Sequence, residues 1–455
     1  MCLHQRHNHG RRLCVRVGTH GRADAPGRVI LSMWKWIVVV VALLGLSARP
    51  ASAYSVLTHQ ANVDSCWQRC MVQLLQQRYP GATDDQLIEA KSFAYGGSIL
   101  QDMGYYPFGS ELFTNLTHYV RSGDFVRNLL DEAHNRNEYA FALGALAHYA
   151  ADLSGHPEGT NRAMPHVYPE LQAKFGNVIT YEEAPIQHTQ LEFAFDVMQV
   201  AAGRYRTAEY QRSIGFQVSK PVLERAFLKT YGMELGQVIF NVDLSVASFR
   251  FAVRSLIPIA SRAAWQSQKK EIRKVSPQAR RREYVYKESE EEYQKKYGSG
   301  YDHPGTGARV LSYFVRVLPK IGPLKPFAFK TPTPEAQALF RASFRTVMNN
   351  YCALVEKEPR DTTATQRPTL ANADFDTGKP TKLGEYALTD ETYGEWLRKL
   401  ADKKFESLTT SQQQHILAFF STPITREPVD EDEKEKDNRK ATIEALEQLK
   451  ALKLQ

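Results

Sequence analysis

Residues 147–156 read Ala-His-Tyr-Ala-Ala-Asp-Leu-Ser-Gly-His and place three potential metal ligands four residues apart in a helical pattern. Four residues advance a helix by about 400°, so His148, Asp152 and His156 share one face and drift by only about 80° over two turns. Imidazole nitrogens and carboxylate oxygens bind zinc at about 2 Å. The spacing predicts a helix that presents ligands to one or two metal ions, although a surface His/Asp ion pair has the same spacing.

A second pair on another helical segment favours the metal interpretation. His188 and Glu192 repeat the four-residue spacing, next to apolar residues that would bury this face of the helix. Without a metal, chance would have to produce the spacing twice. Histidines also concentrate in this half of the chain, because seven of the nine that follow residue 53 lie between residues 54 and 192.

The surrounding sequence predicts an all-α fold. Apolar residues recur at the helical period through 59–79, and Thr83 with Gln86 forms a capping box for a helix that runs toward Leu100. No run of strand alternation separates the helical patterns. Further helices are predicted at 124–155, 181–203, 206–232, 236–264 and 334–356, and from a Thr409/Gln412 capping box through Phe420.

The N-terminal region predicts a secreted or periplasmic protein. Residues 36–48 form an apolar run, and the small residues of 51–53 (Ala-Ser-Ala) resemble a signal-peptidase site. The run is shorter than the roughly 20 residues of a spanning helix, so a retained membrane anchor is the weaker alternative. We expect residues 1–32 to be unstructured or untranslated, 33–53 to be the signal peptide, and cleavage to occur near Ala53.

Removal of this leader changes the charge and the cysteine content. The whole chain has a net charge of +8, but its first 53 residues hold eight Lys or Arg and one Asp. A chain that begins at Tyr54 is therefore near +1, so its composition gives no argument for nucleic-acid binding. It retains Cys66, Cys70 and Cys352. The first two lie one helical turn apart, where two reduced core cysteines are favoured over a bridge between them.

Composition divides the rest of the chain. Residues 54–265 predict one helical domain, and 266–308 are charged and glycine-rich, which indicates an insertion or linker. Residues 309–330 mix aromatic and aliphatic side chains with Lys and Arg. Such a segment either dips into a membrane surface or packs on the helical body with its cations exposed. We assign 309–356 to a helical extension and 357–455 to a loop and C-terminal helices.

Two further residues complete a recognisable set of motifs. Asp102 follows a Gly-Gly-Ser-Ile-Leu-Gln run, and His118 follows an aromatic, proline-containing loop. Together with the two helical motifs, they resemble the zinc-dependent phospholipase C family over about residues 54–260. That fold is shared by single-strand-specific zinc nucleases and by the zinc domain of glycosylphosphatidylinositol phospholipase D. The resemblance implies a helical bundle whose cleft binds three Zn²⁺ ions.

The resemblance also implies which residues bind each ion. The implied ligands are Asp102, His118, His148 and Asp152 for the first ion; Asp152, His59 and the amine and carbonyl oxygen of Tyr54 for the second; and His156, His188 and Glu192 for the third. The family usually has tryptophan where cleavage would expose Tyr54 here. Its smaller members also use a longer step after the bridging aspartate, so His166 is the alternative to His156.

These ligand sets predict a hydrolase that cleaves phosphodiesters. A hydroxide held between the first two ions would attack phosphorus, and the third ion would stabilise the leaving oxygen. Asp102 and Asp152 are the predicted catalytic residues. Phospholipid at a membrane surface is the predicted substrate. The alternatives are single-stranded nucleic acid, which Tyr105, Tyr106 and Phe108 could stack against, and a non-catalytic protein stiffened by zinc. The sequence identifies no protein partner.

Overall fold

Most of the described residues are helical, which confirms the predicted all-α class. The computed structural model describes residues 55–106, 108–202, 204–205, 216–251, 265, 269–274, 277–278, 329–361, 367–421 and 433–452. Within these ranges, extended segments pair only at an isolated bridge between Ala373 and Pro380. The predicted signal peptide, Tyr54, most of 266–308 and nearly all of 309–330 lie outside the described residues.

Between residues 56 and 201 the helices follow one another with short connections, and longer stretches of chain separate several of the later helices. In chain order they are α1 (Val56–Cys66), α2 (Val72–Arg78), α3 (Asp84–Gly97), α4 (Glu111–Tyr119), α5 (Ser122–Asp131), α6 (Arg136–Gly155), α7 (Asn161–Val167), α8 (Pro169–Phe175), α9 (Pro185–Ala201), α10 (Lys220–Tyr231), α11 (Leu235–Val238), α12 (Val242–Phe251), α13 (Pro334–Lys357), α14 (Ala387–Asp402), α15 (Thr410–Phe419) and α16 (Glu433–Ala451). Two π-helical turns, Trp67–Met71 and His156–Thr160, and a 3-10 helix, Gln101–Tyr105, complete the described helical elements.

Local capping explains where several helices begin. The predicted capping boxes are confirmed at Thr83, before α3, and at Thr409, before α15. The predicted helix over 124–155 is wrong in its length. It is two helices, because the Asn135 side chain accepts a 3.0 Å hydrogen bond from the Glu138 backbone N–H and starts α6 afresh. Ser110 caps α4 in the same way, in a stretch where no helix was predicted.

Helix α6 lies at the centre of the fold. All of its residues except Arg136, Asn137 and Leu153 are buried. Gly97 and Gly144 let α3 and α6 approach closely, since a Cβ at Gly144 would lie 2.1 Å from the Ala94 carbonyl oxygen. Small side chains on both helices therefore bring the backbone that follows α3 within reach of the polar residues of α6.

The C-terminal helices pack on the same core. In α13, the Tyr351 hydroxyl donates a 3.0 Å hydrogen bond to the Leu143 carbonyl of α6. In α14, Trp396 Nε1 donates at 2.9 Å to the carbonyl oxygen of Tyr231. Among the described residues, no helix combines the length and apolarity needed to cross a bilayer.

The cysteine prediction is wrong. Cys70 pairs with Cys352 of α13, with their Cα atoms 5.7 Å apart, and Cys66 is free and buried. The sequence offered no sign of this pairing because the partners are 282 residues apart and meet only through packing of α13 on the N-terminal helices. Burial raises the pKa of the Cys66 thiol to about 12, which keeps it unreactive toward the neighbouring disulfide.

Loss of the Cys70–Cys352 bridge should destabilise the fold. Cys352→Ala is expected to lower the free energy of unfolding by about 2–5 kcal/mol, because the bridge closes a very long loop in the unfolded chain. Denaturant unfolding with and without reductant measures the effect. Cys66→Ser is the control, since it should keep the sensitivity to reductant that Cys352→Ala abolishes. An insensitive Cys66→Ser protein would contradict the pairing.

Candidate metal centre

Eight side chains with metal-binding chemistry converge inside the bundle. They come from six helical elements, and none of the eight side chains is more than 3% exposed. They are His59 of α1, Asp102 of the 3-10 helix, His118 of α4, His148 and Asp152 of α6, His156 of the π-turn that continues α6, and His188 and Glu192 of α9. All of the predicted ligands within the described residues are therefore brought into one buried region. Tyr54 lies outside the described residues, and its role stays a prediction.

Asp152 stands between two sets of histidines. Its Oδ2 atom is 3.0 Å from His148 Nε2 and 3.5 Å from His118 Nε2. Its Oδ1 atom is 3.4 Å from His59 Nε2. Asp102 joins the first set, with Oδ1 3.5 Å from His118 Nε2. A carboxylate whose two oxygens face different imidazoles has the geometry to bridge two cations. Because His148 and Asp152 are fully buried, the alternative of a surface ion pair is wrong.

Backbone carbonyls fix how two of these histidines are oriented. His148 Nδ1 is 2.9 Å from the Ser98 carbonyl oxygen, and His118 Nδ1 is 2.9 Å from that of Thr114. A carbonyl oxygen only accepts hydrogen bonds, so each Nδ1 carries a hydrogen and, in the neutral imidazole, each Nε2 presents a lone pair. The two Nε2 atoms are 3.4 Å apart. Two lone pairs so close repel each other unless a cation or a proton lies between them.

A second cluster contains His156, His188 and Glu192. His188 Nδ1 and Glu192 Oε1 approach to 2.7 Å without hydrogen-bond geometry. The two imidazole rings stack with their centroids 5.1 Å apart. Within the described chain, His156 Nδ1 and both Glu192 carboxylate oxygens also have no hydrogen-bond partner. Buried polar atoms left in this state are costly, and a divalent cation among them would satisfy all three residues.

Burial sets the charge state of most of the imidazoles. It lowers the pKa of His59 to about 4 and that of His188 to about 3, and it also lowers the pKa of His156. These side chains are therefore neutral at physiological pH, which is the form that binds metals. His118 differs: burial opposes its charge, but hydrogen bonds to Asp102 and Asp152 raise its pKa to about 10.

The carboxylates complete the electrostatic argument for cations. Burial disfavours the charged form of Asp152, yet His148 and His59 hold its pKa well below the usual range. Burial, followed by the charge of Asp152, raises the pKa of Glu192 well above the usual range. A carboxylate in such surroundings either stays protonated or pairs with a cation. Zinc fits this donor set of imidazoles and carboxylates.

The alternative ligand and the three aromatic residues considered in the sequence analysis differ in how close they lie to the metal-binding side chains. His166 is exposed at the end of α7, so it is His156 that meets His188 and Glu192. Tyr105 lies near the centre, with its ring 6.5 Å from that of His118. Tyr106 packs edge-on against Phe249 at 5.1 Å, and Phe108 is 45% exposed.

Three polar residues near the centre were missed by the sequence analysis. Asp196 follows Glu192 by one more helical turn and accepts hydrogen bonds from the Leu57 backbone N–H at 2.9 Å and the Thr58 hydroxyl at 2.6 Å. The repeated spacing of four residues was a signal that could have found it. Asn161 and Asp376, which lie beside the second cluster, have no such spacing relative to the ligands.

Comparison with known proteins agrees with this geometry. A family model described as zinc dependent phospholipase C matches residues 58–241. The match supports the zinc-dependent phospholipase C family for this segment, which is 184 of the 455 residues. No curated protein and no solved structure matches the chain. The zinc-dependent phospholipase C segment contains every predicted ligand except Tyr54, whereas Asp376 and helices α13 to α16 lie beyond it.

Replacement of Asp152 should release metal from the zinc-dependent phospholipase C segment. Asp152→Asn is expected to lose the zinc ions on both sides of residue 152, because an amide provides one neutral oxygen in place of two charged ones. Zinc per chain, measured by elemental analysis after dialysis, checks this. The control is Asp131→Asn, which removes an ordinary i,i+4 ion pair with Arg127 (3.0 Å). Equal zinc in both variants would contradict the bridging role.

Proposed function

We propose that the protein is a secreted phospholipase C that hydrolyses the phosphodiester of a phospholipid with three zinc ions. The match of residues 58–241 to the zinc-dependent phospholipase C family model supports a zinc-dependent, phospholipase C-like activity. The observation that carries the catalytic proposal is Asp152, whose two oxygens face separate sets of histidines beside a further cluster of donors. That arrangement suits several neighbouring cations better than one structural ion.

The proposed ligands divide into two groups, one for a pair of ions and one for a third ion. Asp102, His118, His148, Asp152 and His59 would hold the pair of ions, with the Tyr54 amine on the second of them. His156, His188 and Glu192 would hold the third. Zinc bound at these sites supplies Lewis acidity, which activates water and polarises phosphoryl oxygens.

The protein's own groups would orient the reactants. The carbonyls of Ser98 and Thr114 hold the rings of His148 and His118 in place before substrate arrives, so little reorganisation is needed. Asp102 would accept a hydrogen bond from the attacking water and align it with phosphorus. Burial of the centre excludes bulk water and strengthens each of these electrostatic interactions.

One observation favours a competing function. All eight described ligands are at most 3% exposed. A structural zinc site is closed in this way, whereas a catalytic site keeps a position open for substrate. A protein in which zinc only stiffens the bundle is therefore the second candidate, and it would bind zinc without any hydrolysis.

The choice between these functions can be tested with substrates. Protein beginning at Tyr54 and loaded with zinc is expected to hydrolyse phosphatidylcholine, both as a soluble short-chain ester and in vesicles, and to leave single-stranded DNA intact. Released phosphocholine and DNA fragments are the two readouts, and Asp152→Asn is the inactive control. Cleavage of DNA alone would favour the nuclease, and full zinc content without either activity would favour the structural role.

We further propose that export creates one of the ligands. A new α-amine at Tyr54 has a pKa of about 8, so a cation readily displaces its proton. Asp196 supports this proposal because its bonds to Leu57 and Thr58 tie the start of α1 to α9, the helix that carries His188 and Glu192. The Cys70–Cys352 disulfide also suits an oxidising compartment such as the periplasm or the cell exterior.

Blocking that amine should weaken one metal site. Addition of a single glycine before Tyr54 is expected to reduce bound zinc from three ions to two and to lower the hydrolytic rate, because the amine no longer lies at the ligand position. Elemental analysis and N-terminal sequencing of the same sample provide the measurement. Removal of the extra residue by an aminopeptidase should restore the second ion, the one that the Tyr54 amine binds. Three ions in the extended protein would rule out the amine as a ligand.

A further inference from the structure

A segment beyond the family match reaches the second cluster. Residues 370–381 lie between α13 and α14 and are hydrogen-bonded to α4 and α5 at several points. The Ser122 hydroxyl donates to the Ala373 carbonyl at 2.6 Å, and the Phe375 backbone N–H donates to the His118 carbonyl at 3.3 Å. Asp374 shapes the turn by accepting from the Thr377 backbone N–H at 2.7 Å. These hydrogen bonds hold Asp376, which follows Phe375, at a defined place.

Asp376 approaches one imidazole of the second cluster, that of His156, and is linked to the other, that of His188, through Asn161. Its Oδ1 is 3.4 Å from His156 Nε2. Its backbone carbonyl accepts a 2.6 Å hydrogen bond from Asn161 Nδ2, while Asn161 Oδ1 lies 2.8 Å from His188 Nε2. The stacked rings therefore turn their Nε2 atoms toward Asp376 and Asn161, which leaves Nδ1 of each ring for other partners. On His188 that atom faces Glu192 at 2.7 Å.

The carboxylate itself is held firmly. Asp376 is 1% exposed. Its Oδ2 accepts hydrogen bonds from the hydroxyls of Tyr119, at 2.9 Å, and Tyr386. With Oδ2 occupied by two donors, Oδ1 is the oxygen available to an imidazole N–H. Tyr119 belongs to the family segment and Tyr386 to the C-terminal region, so both parts of the chain fix this group.

We propose that Asp376 is a positioning residue for the third metal site, where it accepts the Nε2 hydrogen of His156 and so directs Nδ1 to the ion. Metal-binding histidines commonly donate their second N–H to a carboxylate, which fixes the tautomer and makes the ligand more basic. The inference rests on the proposed three-ion site. It adds that the C-terminal region belongs to the metal centre and that residues 58–241 alone lack a group needed for tight binding of the third ion.

The test compares two aspartates of the same segment in the full chain. Asp376→Asn is expected to bind the third zinc ion about 10–100-fold more weakly, with the other two unchanged, because loss of an outer carboxylate typically has this effect. Asp374→Asn is the matched control, since asparagine keeps an Oδ1 acceptor for the Thr377 backbone N–H and so preserves the turn, while the contact between Asp376 and His156 is untouched. Zinc retained against chelators of graded strength, and the visible spectrum after Co²⁺ substitution, report the third site directly.

The outcomes separate the two proposals. Wild-type protein that binds no zinc would overturn the proposed function. Wild-type and Asp376→Asn proteins that hold three ions with equal affinity would overturn only the role of Asp376, as would an equal loss in Asp374→Asn. Should Asp376→Asn fail to fold, Tyr386→Phe removes one donor to the carboxylate and should weaken the same ion alone. An unchanged third site in that variant would count against the proposal.

Discussion

The fold depends on placing carboxylates and imidazoles where water cannot reach them. Asp152 is fully buried between His59 on one side and His118 and His148 on the other. A buried carboxylate without compensation is strongly unfavourable, and neutral imidazoles offset only part of its charge. The same conflict recurs at Glu192, whose charged form is disfavoured by burial and by the other carboxylates. Divalent cations bound at the candidate sites would resolve both conflicts, and metal binding would then be linked to folding of the bundle.

That constraint explains the composition of the central helix. A helix that carries His148 and Asp152 into the core must be packed on all sides, and α6 is accordingly rich in alanine with a glycine at residue 144. Close approach of α3 brings the Ser98 carbonyl to 2.9 Å from His148 Nδ1. The small side chains thus do more than fill space, because they let backbone oxygens of one helix orient the ligands of another.

Sequence periodicity predicts the parts of this centre that are local. The pairs His148/Asp152 and His188/Glu192 each depend only on the helical repeat, and the class of fold depends on the same repeat. Asp102 and His118 have no such spacing, and family resemblance was needed to find them. The break at Asn135 was missed because residues 131–138 contain neither glycine nor proline, while a single side-chain cap decides where the second helix starts.

Contacts between distant parts of the chain could not be predicted from the sequence. Cys352 pairs with Cys70, and Tyr351, beside it on α13, bonds to the Leu143 carbonyl of α6. Neither contact has a local sequence pattern, because each forms only when α13 packs on helices that lie about 200 or more residues earlier in the sequence. Asp376 is the clearest case. It appears in sequence as one acidic residue among several in a loop rich in proline, threonine and aspartate, and only the path of that loop over His118 brings it to His156.

The C-terminal region is therefore better regarded as part of the candidate metal centre than as an appendage. Its helix α13 shares one apolar core with α6, and Phe375 packs its ring 5.2 Å from that of His118. Ring packing on a metal ligand excludes water and limits the ligand's rotation, which are the functions of an outer shell. A family model that ends at residue 241 describes the ligands themselves. In this chain, groups that orient those side chains also come from beyond that segment, as the contacts of Phe375 with His118 and of Asp376 with His156 show.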